Sequence, residues 1–149
     1  MPIKKSLAVK TKNFQSVKGM HDVLPQDQCL WDKIFKTARE LLDFYNFQAI
    51  TVPMVEPLEL YVRTTGETSD IVEKQMYSVK TKGSDILALR PEFTPGICRA
   101  YLEHGLSHQP QPIKLFTIGP VFRAEQPQAG RLRQFNQIDF EIISPENDP

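Results

Sequence analysis

The stretch Phe122 to Ile142, FRAEQPQAGRLRQFNQIDFEI, decides how the rest of the chain is read. It opens on an apolar residue and an arginine. It then passes through Pro, Gly, Gln and two more arginines, and returns as an alternating run. A strand repeats every two residues, so Ile138, Phe140 and Ile142 share one face while Gln137, Asp139 and Glu141 share the other. Together with the preceding apolar run IKLFTIGPVF this predicts an antiparallel hairpin with a basic, Gly- and Pro-punctuated loop. The expectation is that the apolar face packs on helices and the opposite face presents an amide and two carboxylates.

Gln137 and Glu141 lie about 13 Å apart along that face at roughly 3.4 Å per residue. This span suits the two ends of a small polar ligand. Arg123 closes the outgoing strand near the same face, and its planar fork matches a phosphate or carboxylate. Arg131 and Arg133 add positive charge on the loop. Such a face can hold a cationic amine beside an anionic phosphate. Alternating polar residues on an antiparallel strand are often only a solvated surface. Two acids together in so apolar a strand argue otherwise, as does a second Arg-Pro-Glu at LRPEFT (89–94), with Glu92 and Thr94 before a helix.

The chain has 149 residues, one ordinary domain's worth. Lys plus Arg and Asp plus Glu both number 18, so no bulk charge announces a nucleic-acid partner. Cys29 and Cys98 lie far apart without metal spacing and read as reduced thiols, which points to a cytoplasmic protein. No apolar run has the length of a signal core or membrane span. Residues 1–16 read as a flexible tail and 17–149 as one unit.

Within that unit, apolar positions Leu30, Ile34, Ala38, Leu41, Leu42 and Tyr45 recur at helical spacing, with Asp27 as the cap and Asn46 as the stop. FQAITVPMVEP reads as a strand broken at Pro53, which belongs on an edge or against a partner. LELYVRTTGE reads as a short helix. QMYSVKTKGSDILALRPE has the shape of a hairpin. TPGICRAYLEHG reads as a helix capped by Thr94 and stopped at Gly105. The order predicts an α+β fold with a largely antiparallel sheet flanked by helices. No Gly-rich phosphate loop of the GxxxxGK kind is present.

VKGMHDVLP, RTTGETSDIVEKQMY, LRPEFT and IGPVFRAEQPQAGRLRQFNQIDFEI together resemble histidyl-tRNA synthetase, a class II aminoacyl-tRNA synthetase, over about Ser16 to Ile143. The resemblance implies ATP-dependent activation of L-histidine to histidyl-adenylate and transfer to tRNA(His). Mg²⁺ would arrive with ATP, and no tightly bound cofactor or protein metal site is implied. Helix 27–45 and the strand ending at Pro53 look like the first class II motif, which implies a homodimer, and the 122–141 hairpin looks like the second. Arg123 matches the catalytic arginine on the ATP α-phosphate. Glu125 and Arg131 match residues that handle the adenine and outer phosphates. Glu92, Thr94, Gln137 and Glu141 match the histidine pocket.

Phe93, Asn136 and Asp139 depart from residues common in the family, and Asp139 would change the pocket charge if it faced inward. The third class II motif and the anticodon-binding domain are not in this sequence. The sheet is therefore expected to be incomplete at its C-terminal end, and the chain to be inactive alone. Two other readings fit the same residues. One is the non-catalytic, histidine-sensing regulatory subunit of ATP phosphoribosyltransferase, which the intact loop argues against. The other is a stand-alone dimerisation or binding module.

Overall fold

In the computed structural model, which describes residues 13–65 and 76–144, two ten-residue strands set the frame. They are β5 (Ile113–Phe122) and β6 (Gln134–Ile143), paired antiparallel along their whole length from Ile113 opposite Ile143 to Phe122 opposite Gln134. On the other side of β5 runs β1 (Gln48–Ala49), in parallel. A second sheet is built from β2 (Val55–Pro57), β4 (Ile86–Leu89) and β3 (Ser78–Lys80), all antiparallel. The α+β class and the mostly antiparallel pairing are as read from the sequence, but the strands divide into two three-stranded sheets.

The stretch FQAITVPMVEP is accordingly not one strand ending at Pro53. It gives β1, then an irregular step through Val52 and Pro53, then β2 in the other sheet. Proline has no N–H to donate and a fixed φ, so the chain changes sheets where a ladder could not continue.

Three α-helices, α1 (Pro25–Phe44), α2 (Leu58–Thr65) and α3 (Thr94–Glu103), and a short 3-10 helix (Leu106–His108) complete the described chain. Neither expected side-chain cap forms. α1 begins two residues before Asp27, which lies in its first turn, and Leu24 stands at the cap position. Phe93 precedes α3, and Thr94 is already helical. A proline in each first turn supplies the start instead, since its missing N–H would have had no partner there. The stops are as expected: Asn46 takes φ 60° and Gly105 φ 64°, the left-handed conformation that closes helices. Most of RTTGETSDIVEKQMY lies outside the described residues, as does most of the 1–16 tail.

Directly opposed residues of an antiparallel pair point to the same side. Ile113, Leu115 and Val121 of β5 belong to the hydrophobic core, with Ile97, Ala100 and Tyr101 of α3 and with Val52 and Phe93. Phe135 and Ile143 of β6 join the edges of that core. Between them on the same face lie Gln137, Asp139 and Glu141, opposite Gly119, Thr117 and Leu115. This reverses the expected orientation. The polar face of β6 turns inward, while Ile138, Phe140 and Ile142 are 40%, 60% and 59% exposed on the outside.

Candidate functional site

The inward strip of β6 is polar where the rest of that sheet face is core. Glu141 is half-buried and accepts a 2.5 Å hydrogen bond from the Thr94 hydroxyl at the start of α3. Thr94 therefore ties the helix to the strand and does not cap the helix. The Oε1 of Gln137 and the Oδ2 of Asp139 are shielded from solvent and have no hydrogen-bond partner among the described residues. Acceptors left in that state cost about 1–3 kcal/mol each, more when charged, so a fold retains them only for a reason beyond packing.

Burial pushes the Asp139 carboxyl up to about 6, and the negative charges of Glu141 and Glu92 push the same way. Burial also raises the Cys98 thiol, with Glu141 adding to it. Glu92, Asp139 and Glu141 therefore share one electrostatic neighbourhood between β6 and the turn before α3. Among the described residues, no three acids, histidines or cysteines are disposed to hold a metal ion.

At the other end of the strip β5 closes at Phe122, and Arg123 follows. Its Nε donates to the Pro91 carbonyl at 3.2 Å, and its guanidinium lies 5.2 Å from the centre of the Phe135 ring. These contacts hold Arg123 beside the LRPEFT turn that carries Glu92. Beyond it the loop folds back in a tight turn, with Gln128 and Arg131 exchanging backbone hydrogen bonds of 3.2 and 2.9 Å. Arg131 reaches Glu125 at 3.5 Å on the exposed surface. A pair so placed contributes little to stability and leaves both groups open to a ligand.

Two features escaped the sequence reading. The first is a strap. The Gly19 carbonyl accepts hydrogen bonds from the backbone N–H groups of Arg133 (2.7 Å) and Gln134 (3.3 Å). Arg133 in turn donates to the carbonyls of Glu125 (2.9 Å) and Lys18 (3.5 Å), so its guanidinium clasps strap and loop together. Gly19 has φ 85°, and a Cβ there would stand 2.9 Å from Pro127. VKGMHD was visible as punctuated sequence, but nothing in it named the loop as its partner.

The second is Arg90, which is buried. It donates to the carbonyls of Pro120 and Val52, both at 2.8 Å, and stacks 4.3 Å from the centre of the Phe93 ring. Burial lowers its pKa. This arginine fastens β5 to the crossing between the sheets and fixes the turn from which Glu92 and Thr94 project.

The structure thus sets Gln137 and Glu141 on the inward face of β6, ties the exposed Thr94 to Glu141 at its margin, and brings Glu92 within electrostatic reach of Asp139, with Arg123 held beside Pro91. It places Glu125 and Arg131 together on the loop and adds Asp139 to the inward group.

Residues 19–147 match the profile of the histidyl-tRNA synthetase family. The histidine–tRNA ligase of Aquifex aeolicus (strain VF5) is 49% identical over 131 residues, covering 88% of this chain and 32% of the relative. The crystal structure of apo S. aureus histidyl-tRNA synthetase superposes with a TM-score of 0.74 at 37% identity, covering 91% of this chain and 30% of that one. A Bacillus halodurans C structure described as an ATP phosphoribosyltransferase regulatory subunit/histidyl-tRNA synthetase gives 0.71 at 27% identity, covering 88% and 33%. The chain spans about a third of the length of the curated relatives it matches.

Proposed function

The chain belongs to the histidyl-tRNA synthetase family, and we propose that it supplies the histidine pocket and much of the ATP grip of a histidine–tRNA ligase. The observation that carries this reading is the polar strip set into the core face of β6. A hydrophobic sheet face interrupted by an amide and two carboxyls, two of whose acceptors lack partners, is suited to a small ligand rich in N–H groups.

In this reading Glu92, Thr94, Gln137 and Glu141 receive L-histidine, the acids taking its ammonium and imidazole N–H groups. The substrate carboxylate attacks the α-phosphate of ATP. Histidyl-adenylate forms and pyrophosphate leaves, with Mg²⁺ arriving on the nucleotide. Arg123 acts where negative charge gathers in the transition state, held in place by the Pro91 carbonyl and the Phe135 ring. Glu125 and Arg131 meet the adenine and the outer phosphates from the loop. Transfer to tRNA(His) follows in the cytoplasm. A pocket of this kind rejects apolar rivals, because they would leave its buried acceptors unpaired.

A homodimer belongs to the same proposal. The α1 stripe of Leu30, Ile34, Leu41 and Tyr45 is largely exposed, which supports a partner on that side.

The test is histidine-dependent ATP–pyrophosphate exchange by the protein encoded by the full reading frame. We expect exchange, and a loss of about a hundredfold or more in Arg123→Ala. A folded preparation that binds histidine but exchanges no pyrophosphate would overturn the ligase reading and leave the histidine-sensing one.

A further inference from the structure

Asp139 is the one acid on the inward strip that the site described above does not use. Its Oδ2 has neither solvent nor, among the described residues, a partner, and the Gln137 Oε1 on the same strand face is in the same condition. Opposite Asp139 on β5 is Thr117, buried and uncharged. From the turn before α3 comes the carboxyl of Glu92, and from β6 that of Glu141, both negative toward it. α3 offers Thr94, already committed to Glu141, and the thiol of Cys98. Arg123 at the end of β5 is engaged by the Pro91 carbonyl, and Arg90 by three backbone carbonyls. Among the described residues, the fold therefore holds an acid among acids and gives its inner oxygen nothing to accept from. A fold gains no stability from that arrangement, whereas a cationic ligand would complete it.

We propose that Asp139 is a specificity-determining residue of this site, its inward carboxylate oxygen accepting a hydrogen bond from a cationic nitrogen of the bound amino acid, alongside the Gln137 amide oxygen. The inference rests on the reading of the strip as the amino-acid pocket. It extends that reading by making the pocket select for positive charge on the ligand, because three carboxyls then surround it. It also fixes a pH range. Burial holds the Asp139 carboxyl near 6, so its contribution appears as the pH rises through that value and is absent below it.

The experiment is calorimetric titration of L-histidine into the protein encoded by the full reading frame, as wild type and as Asp139→Asn, between pH 5 and 7.5. Asparagine keeps the shape and removes the charge. Histidine's imidazole titrates in the same range, near a pKa of about 6.5, so the readout is the ratio of wild-type to variant affinity at each pH. The ligand's own titration in free solution drops out of that ratio.

We expect the ratio to rise from about 1 at pH 5 to about 10 or more at pH 7.5, the weight of one charge-assisted hydrogen bond. The exposed neighbour Asn136, changed to Ala, should leave the affinity unaltered. Melting curves establish that each variant is folded. If wild type binds and Asp139→Asn binds equally well, or if the ratio does not change with pH, this inference fails and the pocket reading survives. If folded wild type binds no histidine, the pocket reading fails and takes the inference with it.

Discussion

α1 and α3 look alike in sequence and differ in what they do. Each opens on a proline in its first turn, carries an apolar stripe at helical spacing, and gives way to a residue in the left-handed conformation. α3 buries Pro95, Gly96, Ile97, Ala100 and Tyr101, while the twenty residues of α1 bury only Leu42. The difference lies in the neighbours. α3 lies on the face of β5 that carries Ile113, Leu115 and Val121, and shares the core with them. α1 lies toward the other face, where Arg39 reaches the Phe116 ring at 5.9 Å, and its outer stripe of Leu30, Ile34, Leu41 and Tyr45 stays more than half exposed. Periodicity marks which face of a helix is apolar. It does not say what covers that face.

The largest effect should come from testing the two helices against each other. Ile97 is fully buried, so Ile97→Ala is expected to cost about 3 kcal/mol, from lost transfer energy and the cavity left behind. Ile34, at 53% exposure, should cost less than about 0.5 kcal/mol in the dilute chain. Urea denaturation of both variants measures the pair. Similar losses would break the comparison, because the α1 stripe would then be covered in solution. A loss at Ile34 that grows with protein concentration would identify the cover as a second copy.

The same contrast explains how far the sequence could be read. Strand β5 was legible to the residue as a bounded apolar run, and β6 to within one because its alternation is hard to mistake. Gln137, Asp139 and Glu141 were correctly placed on one face. Which face turned inward was not legible, since alternation is symmetric and a core face is ordinarily the apolar one. Here the inward face is apolar only at its ends, Phe135 and Ile143, and on β5 opposite. Helix starts were misread because Thr94 and Asp27 are good caps in isolation, while the prolines beside them set the first turn. The Thr94 hydroxyl is instead drawn to Glu141, 47 positions away, a contact no local rule contains. The crossing at Val52 and Pro53 was seen as a break, but the arginine that fastens it lies 38 positions on.

That arginine supplies the second test. α3 enters its place from a turn pinned by Arg90, whereas among the described residues no side chain caps α1 at Leu24. Arg90→Lys keeps the charge but loses the planar fork that reaches Pro120 and Val52 together, along with the stack on Phe93. We expect a loss of about 2 kcal/mol in denaturation, since at least one buried carbonyl loses its donor. A near-neutral Arg90→Lys would mean that packing alone seats α3, and the contrast between the helices would then rest on neighbouring surface only.

The smallest effect concerns the charge that α3 and β6 enclose between them. In the folded chain the Asp139 carboxyl sits near 6, against an ordinary value of 3.8. The folded chain therefore keeps this proton over a range in which the unfolded chain has lost it. The resulting stabilisation is fully present below about pH 3.8 and is lost as the pH rises through about 6. Because the group is only partly shielded, the change should be about 1 kcal/mol, less than full linkage would give. Asp139→Asn removes the titration, so its melting temperature should exceed that of wild type at pH 7.5 and approach it near pH 4. The matching change on α1, Asp43→Asn at an exposed position, should stay within about 0.5 kcal/mol throughout. Parallel pH profiles for wild type and Asp139→Asn would place the carboxyl in water and remove the reason for treating it as held for a ligand. A variant that is more stable yet binds histidine more weakly would have the opposite meaning: the chain sacrifices stability at this position because the acid is needed there for binding.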